Sequence, residues 1–276
     1  MNRLPLEKQA LVLNSLIEGN SIRSTVRLTG VNKKTVMRLL VEAGEQAQEI
    51  LDSRLVNIQS NFVQVDEIWT YVGKKQRQLK PFESEELGDQ YVFVAVDAET
   101  KLVASFNVGK RNQINAISMM KELQYRITTL LQLSTDSFSP YFNAVDSVFG
   151  EDIDYGQIHK EYREDGRGEK RYSPAQIVRV IINPLIGQPK RKHISTSHIE
   201  RQNLTMRMQM RRFTRLTNAF SKKLKNLRAA VALHFYHYNI MRIHSSLRVT
   251  PAMEARITNR LWTWNDLLGG IESRAA

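Results

Sequence analysis

Asp66, Asp136 and Glu200 are the residues of this chain best suited to chemistry, and the chemistry they suit is metal-assisted phosphoryl transfer. Attack on a phosphodiester develops charge on both the attacking and the leaving oxygen. Two divalent ions roughly 3.5–4 Å apart can hold both oxygens. Hard ions such as Mg²⁺ (or Mn²⁺) prefer oxygen ligands, and carboxylates supply these while leaving positions for water and phosphate. Each acid also has a plainer reading. Asp66 can pair with a buried Arg, Asp136 can cap a following helix, and Glu200 can bridge to a neighbouring Arg. The three are far apart along the chain, so only tertiary folding can gather them.

The elements that must do the gathering are legible as changes of period. Residues 62–73, containing Gln64-Val65-Asp66-Glu67-Ile68-Trp69, are rich in β-branched and aromatic types and read as a strand with Asp66 inside it. Glu67, its neighbour, should point to the opposite face and is read as structural. A polar loop is expected over 74–88, with strands at 91–96 and 102–108. Asp97 between them is read as turn-forming. A helix is expected over 114–127. A buried parallel strand over 130–133 leads into Asp136, and a further helix and a strand near 155–162 should follow. Three antiparallel strands, a helix and further strand–helix units give an α/β class, specifically an RNase H-like catalytic domain with a mixed five-stranded sheet. Glu200 stands near the start of a long helix able to pack across that sheet. Residues 164–192, with Gly166, Gly168, Pro174, Pro184, Gly187 and Pro189, read as an inserted loop region.

Ahead of this unit, residues 1–55 read as an all-α helix-turn-helix domain. A helix over 6–16 ends at Gly19. Ser21 can cap a second helix, Thr29-Gly30 makes a turn, and Asn32 can cap a third over 33–43 that Gly44 stops. The third helix would offer Lys33, Lys34, Thr35 and Arg38 to a DNA groove. A plain protein-binding bundle is the alternative. Residues 45–61 read as a linker. The catalytic domain is expected over 56–230, with its insertion near 163–195, and a C-terminal helical segment over 231–276.

Charge points the same way. The chain has 40 Lys and Arg against 28 Asp and Glu, a formal net charge of +12, favouring a polyanionic partner. From Glu200 to residue 228 there are nine bases and a single acid: Arg201, Arg207, Arg211, Arg212, Arg215, Lys222, Lys223, Lys225 and Arg228. On a helical segment this reads as an electrostatic footprint. The absence of cysteine excludes disulfides, thiolate zinc ligands and a cysteine nucleophile. No apolar run is long enough to span a membrane and the start lacks a signal-peptide stretch, so a cytoplasmic, nucleoid-associated location is expected. His234, His237 and His244 read as half-buried polar residues of a packed helix rather than zinc ligands. Trp262 and Trp264 read as packing residues.

The segments Gln64-Val65-Asp66-Glu67-Ile68-Trp69, Thr135-Asp136 and His193-Ile194-Ser195-Thr196-Ser197-His198-Ile199-Glu200-Arg201-Gln202-Asn203-Leu204-Thr205 carry a resemblance. So do the basic stretch over 206–223, Tyr238-Asn239 through Arg242, His244 and Leu247, and Thr250-Pro251-Ala252. Together they resemble a DDE transposase of the insertion-sequence-one type, in its unframeshifted single-chain branch, over essentially the whole chain. The resemblance implies strand cleavage at transposon ends and 3′-hydroxyl transfer into target DNA. Asp66, Asp136 and Glu200 would be the metal ligands, with Asn203 and His198 supporting metal or phosphate. It also implies double-stranded DNA as partner and a homodimer or larger assembly on paired ends. Many such proteins begin with a cysteine zinc module, which this chain lacks, so end recognition would rest on the N-terminal helices and the basic helix after Glu200. Two competing functions are a non-catalytic helix-turn-helix regulator and an RNase H-like nuclease that cuts without joining.

Overall fold

A computed structural model describes residues 3–129, 131–162, 176–214 and 217–275. The chain begins with three helices, α1 (Leu6–Ile17), α2 (Ile22–Thr29) and α3 (Lys33–Arg54). Ser21 caps α2 by accepting from the backbone N–H of Ser24, and Asn32 caps α3 by accepting from that of Lys34. Gly30, at φ 68°, makes the left-handed turn between them.

Gly44 does not stop α3. A Cβ there would lie 2.3 Å from the carbonyl oxygen of Ala229, so the residue is a contact point between two helices. With no side chain to block the approach, α3 continues to Arg54 and lies against a later helix, α7 (Leu224–Tyr236). Most of the expected linker is therefore helix, and the N-terminal helices share one apolar core with the rest.

Among the described residues the sheet has six strands rather than five: β1 (Phe62–Val72), β2 (Gly88–Asp97), β3 (Val103–Gly109), β4 (Gln132–Thr135), β5 (Asp154–Tyr162) and β6 (Ile177–Ile186). Their order is β3-β2-β1-β4-β5-β6. β1 runs antiparallel to β2 and parallel to β4, and β5 continues the parallel run. β6 falls inside the expected insertion, of which residues 163–175 lie outside the described residues. The β-branched core of Ile177-Val178-Arg179-Val180-Ile181-Ile182 outweighs the glycines and prolines around it. Pro184 is tolerated because β6 is an edge strand whose register shifts beside it.

Helices α4 (Gln113–Arg126) and α5 (Ser139–Phe149) cover one sheet face, where Phe93 meets Tyr141 and Ser105 meets Met119. On the other face α6 (Ser197–Gln209) packs on β1, and α7 packs through Phe106 against Phe235. The basic stretch after Glu200 is not one helix. α6 ends at Gln209, and a 3₁₀ turn over Arg211–Phe213 buries Met210 and Phe213 before α7 begins. α7 also runs through the expected 230/231 boundary. A π-helical turn (His237–Met241) follows, where Asn239 pairs with both backbone groups of Val103. The short α8 (Pro251–Glu254) comes next, and α9 (Trp264–Ala275) returns to α1 and α3. Trp264 donates to Asn14, and His237 stacks on its ring. Among the described residues no helix is long and apolar enough to cross a membrane.

Candidate active site

Parallel pairing of β1 with β4 matches Val65 to Thr135, so Asp66 and Asp136 stand side by side where β4 ends. Asp136 accepts from the backbone N–H of Phe138 and so also starts the turn into α5. Gln64, two residues before Asp66 and on the same strand face, accepts from the backbone N–H groups of His198 and Ile199. That pair of bonds fixes the first turn of α6 on β1. One turn along α6, Asn203 donates to the second carboxylate oxygen of Asp66 at 2.8 Å. A helix held at these two points presents Glu200 toward the pair of aspartates.

All three acids line one cleft of about 620 Å³, together with Arg111, Phe138, Lys160 and Thr196. The aspartates and Glu200 are held differently. Glu200 is half exposed and is engaged by the Lys160 ammonium and by the Thr196 hydroxyl at 2.6 Å. Carboxylate oxygens of Asp66, Glu67 and Asp136 come within 4.8 Å of one another. Glu67 approaches from the opposite face of β1, where it ion-pairs with Arg111 and accepts from Tyr141 at 2.8 Å. Its side chain is only 3% exposed, so it stands behind the cleft rather than in it.

Burial, followed by the nearby charges of Glu67, Asp136 and Glu200, pushes the Asp66 carboxyl up to about 7. Burial and the Asp136 charge raise Glu67 as well. Gathering anionic oxygens against this cost suits a site for a hard cation, whose charge offsets the repulsion. The donor set is carboxylate alone, which fits Mg²⁺ or Mn²⁺.

This arrangement sets a pH dependence. Asp66 has a higher pKa folded than its ordinary 3.8, so the folded state keeps a proton the unfolded chain releases. Its contribution to stability is complete below about 4 and is lost as pH rises through about 7. In chelator, Asp66→Asn should stabilise the protein against urea at pH 8, by up to about 4 kcal/mol, and leave its stability unchanged near pH 4. Thermal or urea melts at both pH values check this; an equal effect at both would remove the titration as its cause.

The other residues singled out in the sequence divide clearly. His198 faces Lys101 rather than the cleft, and burial and that ammonium lower its pKa. Asp97 accepts from the Glu99 backbone and the Thr100 hydroxyl, a turn role as expected. Lys33, Lys34 and Arg38 are exposed and Thr35 is half-buried, all on the first turns of α3. Arg201, Arg211, Lys222 and Lys223 are exposed, and Arg207 is half-buried. Arg215 lies outside the described residues. Arg212 is not free for a ligand: its Nε donates to Ser221, and burial lowers its pKa to about 10. His234 is buried and pushed down to about 3 by that burial. The sequence reading missed Arg111 and Lys160, because their partners, Glu67 and Glu200, meet them only in the folded chain.

No family model matches the chain, and no curated protein matches it. Among solved structures it is similar to a piggyBac transposase in a synaptic complex with hairpin DNA. That match has 11% identity and a TM-score of 0.31, and covers 95% of this chain and 60% of that one. It is also similar to the Mos1 strand transfer complex (16%, TM-score 0.20, 53% of this chain and 56% of that one). A Mos1 transposase paired-end complex with the left transposon end gives 15%, a TM-score of 0.18, and coverage of 53% and 58%. The chain thus spans less than two thirds of the length of each, and overlaps this low define neither fold nor function.

Proposed function

We propose that this chain is a DNA transposase whose RNase H-like unit cleaves and joins strands in a carboxylate-lined, metal-dependent site. The observation that carries the proposal is the convergence of Asp66, Asp136 and Glu200, from a strand, a strand end and a helix, on one cleft. The order β3-β2-β1-β4-β5, in which β2 alone opposes the rest, supports the RNase H-like assignment. The net charge of +12 supports a polyanionic substrate.

Each side chain then has a role. Asp66, Asp136 and Glu200 are the residues that would hold Mg²⁺ or Mn²⁺, two ions as the chemistry asks. Such cations stabilise charge on the attacking and leaving oxygens when bound. Asn203 fixes the orientation of Asp66, and Gln64 fixes the helix that carries Glu200. Arg111 is held by Glu67 and by the Phe138 ring 3.8 Å away, and so offers a preset guanidinium to a phosphate entering the cleft. Lys160 is the corresponding cation on β5. Lys33, Lys34, Thr35 and Arg38 form the end-recognition surface in a helix-turn-helix reading of α2 and α3. Arg201, Arg211, Lys222 and Lys223 hold backbone phosphates, and two or more copies act on paired ends.

The test is a gel assay with purified protein, Mg²⁺ or Mn²⁺, and labelled DNA from the borders of the gene's own element. Wild type should nick at the border and give joined products, and Asp66→Asn should give neither. Binding without cleavage under either metal, or cleavage that survives Asp66→Asn, overturns the proposal.

A further inference from the structure

Above Glu67 on β1 the cover of α4 and α5 ends, and aromatic rings take its place. Trp69 and Tyr71 alternate onto the same face as Glu67. Their ring centroids lie 5.7 Å apart, and Tyr71 stacks on Phe220 at 4.6 Å. Phe220 is brought there by the bridge between Val72 and Ser221, which extends the sheet beside the free end of β1. Tyr91 is the cross-strand partner of Trp69, and the Arg111 guanidinium sits 5.9 Å from its ring. The row therefore begins at Arg111, which lines the carboxylate cleft, and ends at Phe220, next to the exposed Lys222 and Lys223. Trp69 is 41% exposed, an uncommon state for the largest apolar side chain on a strand.

We propose that this row is a stacking platform for unpaired nucleotides of a strand whose phosphate lies in the cleft. The proposal rests on the reading of the cleft as a nucleic-acid site. Three features select this occupant. The platform is continuous with the cleft through Arg111. Its faces are flat π-surfaces, on which any base can stack. Cations stand at both ends of the row, where a backbone running past it would place phosphates. A protein partner could cover the same rings, but nothing would then require the row to start beside the carboxylates. A duplex hides its base faces, so the platform distinguishes single from double strands.

The experiment compares full-length wild type with Trp69→Ala/Tyr71→Ala and with Trp69→Phe, in chelator so that nothing is cut. The probes are a fluorescein-labelled oligothymidylate carrying one 2-aminopurine, and a blunt duplex of equal length. The double variant should bind the single strand at least about tenfold more weakly and the duplex about equally well, since each lost base stack costs about fivefold or more and two are removed. Quenching of 2-aminopurine on binding should vanish with it. Trp69→Phe, which keeps a π-face, should retain both the affinity and the quenching. An equal loss for both probes, or an unchanged single-strand affinity, overturns the platform. A variant that instead shifts from dimer to monomer in sedimentation assigns the patch to a second copy and also overturns it. Wild type that binds neither probe sinks the nucleic-acid reading of the cleft as well. Wild type that cleaves border DNA yet shows no single-strand discrimination sinks the platform alone.

Discussion

Glu200→Gln should reduce strand cleavage at least about a thousandfold while leaving DNA binding intact, and Glu67→Gln should reduce it far less. The two glutamates compete for the third place beside Asp66 and Asp136. By distance alone Glu67 wins, since its carboxylate lies with the aspartates within 4.8 Å. Glu67 is already spoken for, however. Its charge is met by Arg111 and its lone pairs by Tyr141, and its side chain is 3% exposed, so a cation would have to displace both partners in a closed setting. Glu200 is half exposed, lines the cleft, and is restrained by Lys160 and Thr196, which an entering cation and phosphate can displace. Removing a ligand that stabilises transition-state charge forfeits several kcal/mol, and each 1.36 kcal/mol is tenfold in rate. Single-turnover cleavage and a gel-shift assay, run on both variants and on Asp136→Asn, decide the matter. Equal losses for Glu67→Gln and Glu200→Gln would put both in the chemistry. A larger loss for Glu67→Gln would exchange their roles.

The largest expected loss of stability comes from one methyl group. In the interior of an exposed helix Gly→Ala is favourable by roughly 0.5–1 kcal/mol. Gly44→Ala should instead destabilise by about 3 kcal/mol, because the new Cβ would sit 2.3 Å from the Ala229 carbonyl oxygen and 2.5 Å from its Cα. Backbone cannot swing aside as a flexible side chain can, so relief requires α3 and α7 to separate. Gly269 in α9 is the control: among the described residues nothing beyond its own stretch of helix lies within 4 Å of its would-be Cβ, and Gly269→Ala should be neutral or slightly stabilising. The urea midpoint should fall for Gly44→Ala and stay level or rise slightly for Gly269→Ala. A stable Gly44→Ala protein would mean that α3 does not rest on α7 in solution.

That glycine also shows where sequence and structure part. Gly at the end of a periodic stretch ordinarily signals a helix stop, and local pattern cannot tell it from a glycine required by a partner 185 positions later, at Ala229. The same limit hid Arg111 and Lys160, whose meaning lies in the acids they face. β6 was obscured differently: its Ile- and Val-rich core is short beside the glycines and prolines of the surrounding stretch. By contrast, β1 to β4 and α4 were legible because their periods are strong and their turns polar. The alignment of Asp66 with Asp136 followed from that order. The position of Glu200 was legible only as a residue on a helix. What holds that helix in place, Gln64 and Asn203, emerged from hydrogen bonds that no spacing rule anticipates.

The hydrogen bond from Trp264 to Asn14 joins residues 250 positions apart and ties α9 to α1. During synthesis at about 5–20 residues per second, α1 to α3 would wait roughly ten to fifty seconds for α7 and α9. Through that interval the sides of α3 and α1 that meet α7 and α9 in the finished protein have no partner. High contact order of this kind slows folding and leaves nascent apolar surface open to self-association. Yield of the protein from cells should therefore depend on translation rate and on holding chaperones more than its final stability would suggest.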